Sequence, residues 1–438
     1  MDETRRSSYR YIVRTLAIAI ITGVSAALIV AFFGYCLDKL LILMDSLGKR
    51  IWMALPFAAA ILVGWLILRK NPFAGGEGIQ FYITAVNLRG GKLSRRATIV
   101  RFPATLITLT MFGSGGIVGP LARMCAGAGS WVVCNTVGRS PFREEDDRSV
   151  GAICGVSGAI SAIFHSPLAA GLYATEVLKR ESIRYTDLVV ALLSAVSSYV
   201  TSSIVLGEEP FFVIDAPKLE LSVVQTTWLP ITAVVAGLTG MLFIFVFSQA
   251  TAFFRRIPGR QPVQALAAAV ILSAAVYLGL EWSLRTSPEL YHGLATGEIH
   301  RITSLPFFSV SIAIPFVLLI LTKIILTSIT IGSGMSAGFT GPLIIIGMSL
   351  GALMSLAAGA DPTSVAYYGY MACGMAALLS ATLNIPLAAI ALTMTIFGTS
   401  YILPAVTGSS IAFIIFKGHA VYRYYGRTPS RGITGNDG

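Results

Sequence analysis

Gly113-Ser-Gly-Gly-Ile-Val-Gly-Pro120 and Gly332-Ser-Gly-Met-Ser-Ala-Gly-Phe-Thr-Gly-Pro342 stand about half a chain apart, each ahead of an apolar stretch. Glycine lets backbone amides turn toward one point without steric cost. The first N–H groups of a helix lack intrahelical acceptors and carry partial positive charge. A glycine-rich start to a buried helix can therefore hold an anion without a full cation. Two such starts in one apolar chain predict a membrane pathway for anions.

The bilayer reading rests on composition. Of 438 residues, 55% are hydrophobic and 12% charged, and the mean hydropathy is +0.76, which excludes an ordinary soluble domain. Runs near the ~20 apolar residues needed to span a bilayer occur at Leu16–Phe33, Ile51–Leu68, Leu188–Leu206, Leu229–Phe247, Val263–Leu280, Phe307–Ile329 and Ile402–Ile415. Regions 98–136, 149–178 and 331–398 are equally apolar but broken by Gly and Pro. Broken backbone survives at membrane depth only where it packs inside protein or lines a cavity, so these regions are expected to be functional.

The net charge of +11 comes from 32 Lys+Arg against 21 Asp+Glu. Arg5, Arg6, Arg10 and Arg14 precede the first span, and Lys417, Arg423, Arg427 and Arg431 follow the last. The positive-inside bias then predicts that both termini are cytoplasmic. Lys70, Arg89, Lys92, Arg95, Arg96 and Arg101 read as a third basic segment. These charges flank apolar spans as cytoplasmic loops and ends do, so no nucleic-acid partner is expected. The first apolar run is long and lacks a small-residue cleavage site, which makes it an uncleaved helix rather than a signal peptide.

Cys36, Cys125, Cys134, Cys154 and Cys373 lie in or beside apolar segments at spacings of no zinc or redox motif. Glu144 to Asp147, flanked by Arg143 and Arg148, reads as a solvated loop. No metal and no cofactor is expected.

A second pair of segments aligns without gaps. Gly155-Val-Ser-Gly-Ala-Ile-Ser-Ala-Ile-Phe-His-Ser-Pro-Leu-Ala-Ala170 matches Gly374-Met-Ala-Ala-Leu-Leu-Ser-Ala-Thr-Leu-Asn-Ile-Pro-Leu-Ala-Ala389 at an offset of 386 − 167 = 219. The glycine phrase starts at the same offset, 332 − 113 = 219, and reaches 342 − 120 = 222 at its proline, placing three extra residues inside the second loop. A shared offset signals an internal repeat, with one half at 1–215 and the other at 216–438. Cytoplasmic termini and an odd number of crossings per half make the repeats inverted, with broken helices meeting near the midplane.

With these residues in hand, the chain resembles the CLC chloride channels and proton-coupled chloride transporters over nearly its whole length. Gly75-Gly-Glu-Gly-Ile79 is similar to the family's Gly-Ser-Gly-Ile-Pro motif, Gly116-Ile-Val-Gly-Pro120 to its Gly-Arg/Lys-Glu-Gly-Pro motif, and Gly338-Phe-Thr-Gly-Pro342 to its Gly-x-Phe-x-Pro motif. Tyr422 falls where the family has a pore tyrosine. The resemblance implies an all-α multi-pass membrane protein of CLC type, with two inverted-topology repeats and broken, tilted helices. It also implies a homodimer in the lipid bilayer with one pore per subunit, carrying chloride or a similar small anion. The implied anion-binding residues are Glu77, Gly78, Ile79, Gly116, Ile117, Val118, Gly119, Phe339, Thr340 and Tyr422.

The departures from the family pattern bear on mechanism. The glutamate that gates the family's transporters is Val118 here, which neither carries a proton nor competes as an anion. The inner proton glutamate maps to Val177, with Glu176 just before it. Glu176 reads either as a substitute on the proton path or as a helix-end carboxylate answering Lys179 and Arg180. Passive conduction without obligatory proton coupling follows, with Glu77 and Glu176 as the candidate proton path if an exchanger is at work instead. Glu77 replaces the serine of the central site. Facing the pore, it would be shifted toward its neutral form by desolvation and like charge, making conduction pH-dependent; the alternative places it in the cytoplasmic vestibule.

Gly155-Val-Ser-Gly158 also resembles the Gly-x-Ser-Gly of intramembrane serine proteases, with His165 or His419 as base. The repeat puts Ala376 opposite Ser157, so the serine reads as a small packing residue and no enzyme is expected. The tail after Tyr422 has 438 − 422 = 16 residues, with no C-terminal regulatory domain in view. A prokaryotic plasma-membrane location is expected.

Overall fold

The computed structural model describes residues 2–70, 74–136, 144–179, 183–207, 214–220, 223–258, 261–299 and 312–423. Arg143, Arg180, Arg427, Arg431 and the 307–311 end of one expected span lie outside these residues, as do the side chains of Glu144 to Asp146 and Cys134. The described residues form helices joined by turns and loops. In order run α1 (Asp2–Asp45), α2 (Lys49–Trp52), α3 (Leu55–Lys70), α4 (Ile79–Leu88), α5 (Arg95–Thr110), α6 (Val118–Thr136), α7 (Glu144–Phe164), α8 (Pro167–Glu176) and α9 (Tyr185–Leu206). Then come α10 (Val223–Arg256), α11 (Gln261–Tyr277), α12 (Glu281–Leu284), α13 (Pro288–Thr296), α14 (Ala313–Gly332), α15 (Thr340–Ala357), α16 (Val365–Leu383), α17 (Pro386–Phe397) and α18 (Ile402–Phe416). Among the described residues, seven helices are long and apolar enough to cross a membrane, and the protein is a multi-pass membrane protein.

Sequence punctuation sets the helix starts and stops. Pro167, Pro288 and Pro386 open α8, α13 and α17, where a missing N–H costs nothing. Ser94 caps α5 by accepting from the Ala97 N–H, as Ser287 and Ser364 do for α13 and α16. His165 and Asn384 both take a left-handed φ, 50° and 60°, turning the chain out of α7 and α16 two residues before the prolines. Their separation, 384 − 165 = 219, is that of the second aligned pair.

The two glycine phrases meet at the molecule's centre. Gly116 N–H donates to the Gly338 carbonyl and Gly338 N–H to the Gly116 carbonyl, both at 2.8 Å. This antiparallel bridge is the one pairing of its kind among the described residues. Reciprocal bonding between equivalent residues running in opposite directions is what an inverted repeat requires. A Cβ on Gly338 would lie 2.7 Å from the Gly119 backbone nitrogen, so the crossing admits glycine alone.

The bridge corrects the sequence alignment. Gly116 and Gly338 are 222 apart, as are the last residues of α5 and α14 (332 − 110) and the first residues of α6 and α15 (340 − 118). Gly113 therefore corresponds to position 335 rather than 332, and the second loop holds no insertion. The offset is 222 at the starts of α6 and α15 and 219 at the ends of α7 and α16 (383 − 164). Loop glycines matched by chance, and helix ends show the true register.

Two charge readings also change. Arg101, grouped with a basic surface segment, lies inside α5 and is fully buried. Asp147, read as part of a solvated loop, is in the first turn of α7, buried, and paired with Arg14 on α1.

Candidate functional site

The site forms where α4, α6 and α15 begin close together. Gly78, the N-cap of α4, lies so near the Gly119 carbonyl that a Cβ on it would sit 2.2 Å away. Phe339 is the N-cap of α15 and Thr340 its first residue, while Val118 is the first residue of α6. These three starts face inward, and their leading N–H groups lack intrahelical acceptors. Gly116 is an exception, since its N–H is used by the bridge to Gly338.

Glu77 occupies the middle of this arrangement. It is buried, which decides against a position in an open vestibule. Its Oε2 accepts the Ile79 N–H at 2.7 Å and the Gln80 N–H at 3.4 Å. Its Oε1 accepts the Tyr422 hydroxyl at 3.1 Å. A Cβ added to Gly119 would fall 2.3 Å from the same oxygen. The side chain therefore places a carboxyl group among the donors that the sequence reading assigned to a bound anion.

Tyr422 is held on both sides of its own residue. Val421 N–H donates to the Thr382 carbonyl at 2.9 Å. Arg423 N–H donates to Gln80 Oε1 at 2.8 Å, and Gln80 Nε2 returns a bond to the Arg423 carbonyl at 3.0 Å. Phe339 packs edge-on against Phe243 and Phe247 and lies 6.4 Å from the Tyr422 ring. Tyr173 from α8 adds a hydroxyl 3.2 Å from Thr340 Oγ1; it was missed in sequence because nothing local distinguishes it from a core tyrosine.

Two buried cations, Arg101 and Lys323, each hold a loop beside the site, and a third, Arg123, lies against Gly78. The Arg101 guanidinium donates to the carbonyls of Gly75, Gly76 and Glu77 at 2.9–3.0 Å, clamping the loop that aims Glu77. Lys323 on α14, also fully buried, donates to the Leu284 and Arg285 carbonyls at 3.3 and 3.0 Å and reaches Thr286 Oγ1 at 3.5 Å. Arg101 is 15 residues before Gly116 and Lys323 15 before Gly338. Each half thus holds the loop ahead of its short helix, α4 or α13, with one buried cation. An isolated basic residue in an apolar run was the available signal for both.

Glu176 is placed elsewhere. Its two oxygens accept the Leu387 and Ala388 N–H groups at 3.0 and 2.8 Å, so it caps α17 from across the repeat boundary rather than answering Lys179. Val118 is 99% buried, and with Ile117 it lines a cavity of about 710 Å³. Ser157 donates to the Ala191 carbonyl at 2.7 Å, and the His165 ring rests against Tyr199. The serine therefore ties α7 to α9 in the way a packing residue does. Among the described residues no group of His, Cys, Asp and Glu could hold a metal ion.

Comparison with known proteins accords with this geometry. The voltage-gated ClC-type chloride channel ClcB of Citrobacter koseri is 24% identical over 439 residues, covering 94% of this chain and 99% of its own. The H(+)/Cl(−) exchange transporter ClcA of Klebsiella pneumoniae strain 342 is 28% identical over 351 residues, covering 77% and 69%. The crystal structure of a CLC-type fluoride/proton antiporter superposes with a TM-score of 0.77 at 23% identity, over 94% of this chain and 98% of that one. The family described as voltage gated chloride channel matches residues 59–417, and the chain belongs to that family of membrane anion transport proteins.

Proposed function

We propose that the protein conducts chloride or a similar small anion passively, through one pore per subunit of a homodimer. The observation that carries this reading is the convergence of the Tyr422 hydroxyl and the first amides of α4 on one acidic group beside Gly119. Neutral donors at helix starts hold a negative charge without trapping it, so a seat that accepts a carboxylate accepts a halide of like charge. Passive conduction is supported by Val118 at the start of α6, which has no titratable proton, and by Glu176, whose oxygens are both engaged with α17. The anion and Glu77 compete for the seat, and flux follows the fraction of time the side chain leaves it. The basic residues at both ends favour cytoplasmic termini in a prokaryotic plasma membrane.

One observation favours a second reading. A carboxyl group that takes turns with an anion in one seat is also a proton carrier, so Glu77 supports anion/proton exchange if it alternates between the two faces. Reversal potentials of purified protein in planar bilayers, under separate chloride and pH gradients, separate the two. A Nernstian chloride value indifferent to the pH gradient supports the channel. A value between the chloride and proton potentials supports the exchanger, and absence of chloride-selective current would sink both.

A further inference from the structure

The cavity in front of Val118 is lined by four carboxylates, Asp38, Asp45, Glu281 and Glu289, and by one cation, Arg285. For a protein that passes anions this is an adverse mouth. Like charges in a narrow, low-dielectric opening repel an incoming anion and lower its local concentration. Arg285, from the other half of the chain, is the only cation facing the same opening among its described lining residues.

The Arg285 side chain is held in a particular way. Its guanidinium lies 4.3 Å from the centre of the Phe112 ring and 5.9 Å from that of Trp52, and Nη1 donates to Asp45 Oδ1. Its backbone carbonyl accepts from Lys323. Nε and Nη2 form the other edge of the fork, and neither has a hydrogen-bond partner in the protein. This edge is the pair of parallel donors that binds an anion side-on. Buried donors without protein partners are left for water or an ion. Phe112 leads directly into Gly113, so the guanidinium sits at the head of the pore loop.

We propose that Arg285 is an anion-capture site at the Val118 mouth, and that Asp45 is a tethered competitor for it. The ligand is the transported class, a small monovalent anion. The Nε/Nη2 edge receives it when the side chain tilts off Phe112 toward the cavity, and Asp45 opposes this by holding Nη1. Asp45 is half exposed, its side chain retaining 52% of its accessible surface, so its hold is solvent-screened and reversible. The site lies ahead of the pore, separate from the Glu77 seat, and rests on the anion-transport reading above.

The test is chloride flux in proteoliposomes with the concentration varied on the Val118 side. Asp45→Asn should lower the half-saturating chloride concentration by about two- to fivefold, the range of a screened ion pair. Arg285→Gln should raise it with little change in the maximal rate, and Arg285→Lys should recover part of the loss. Because Arg285 variants also disturb packing on Phe112, a second measurement leaves that residue intact. In a Cys36→Ser background, Asp45→Cys is modified from the bath with a cationic or an anionic thiol reagent. The cationic adduct should lower the half-saturating concentration and the anionic adduct raise it, and equal effects of the two reagents overturn the proposal. Half-saturation unchanged in Asp45→Asn overturns it as well. If the unsubstituted protein carries no chloride, the anion-transport reading itself has failed.

Discussion

At the scale of single residues, the proposed anion seat has its acid at the start of α4 and none at the start of α6. Val118 leaves the start of α6 without a carboxylate, and Glu77 brings one to the start of α4, where the Tyr422 hydroxyl and two amides receive it. The charged groups around it are Arg101, whose guanidinium bonds the Glu77 carbonyl, and Arg123, whose Cβ lies against Gly78; the Tyr173 and Tyr422 hydroxyls are the other titratable neighbours. Acidification protonates Glu77, removes the competing charge and weakens its hold on the seat. Chloride efflux from liposomes should therefore rise as pH falls. Glu77→Gln should run fast at neutral pH and lose that dependence. An unaltered pH profile in Glu77→Gln would show that the carboxyl group does not gate. The residue type at position 77 is plain in sequence, but its position under Tyr422 is not, because the two are 345 residues apart.

At the scale of elements, buried charge orients the short helices. Arg101 satisfies three consecutive carbonyls ahead of α4. Arg101→Met strips each of a donor at roughly 1–3 kcal/mol apiece, so a large drop in the thermal midpoint of the detergent-solubilised protein is expected. Arg101→Lys should restore a part, since one ammonium cannot copy the planar fork. Glu176→Gln removes a charged cap from α17 and should cost about 0.5–2 kcal/mol. If Glu176 serves only as a cap, its chloride reversal potential stays where it was; a shift there would return Glu176 to the proton path. The helices themselves were largely legible in sequence. The span expected at 188–206 is α9 (Tyr185–Leu206), and that at 402–415 is α18 (Ile402–Phe416). The first span was short by several turns, because α1 (Asp2–Asp45) begins in the charged stretch before Leu16 and continues past Gly34, Asp38 and Lys39 into a second apolar run.

At the scale of the whole molecule, the reciprocal Gly116–Gly338 bonds join the two glycine phrases, and the proposed anion seat lies beside them. Val118→Glu returns a carboxylate to the α6 start without touching the bridge. The reversal potential is then expected to leave the chloride value and move toward the proton one, and a purely chloride-selective potential would show that this scaffold does not couple protons. Repetition, apolar length and glycine spacing were decided by the sequence alone, because they are periodic or local: the CLC-type class, the broken helices and the motifs were all readable along the chain. The register of the two halves, the burial of Arg101, the cap that Glu176 forms on α17 and the meeting of Glu77 with Tyr422 were decided only by the tertiary structure. Each depends on which helix ends converge in space, and an inverted repeat brings together residues that no local spacing relates.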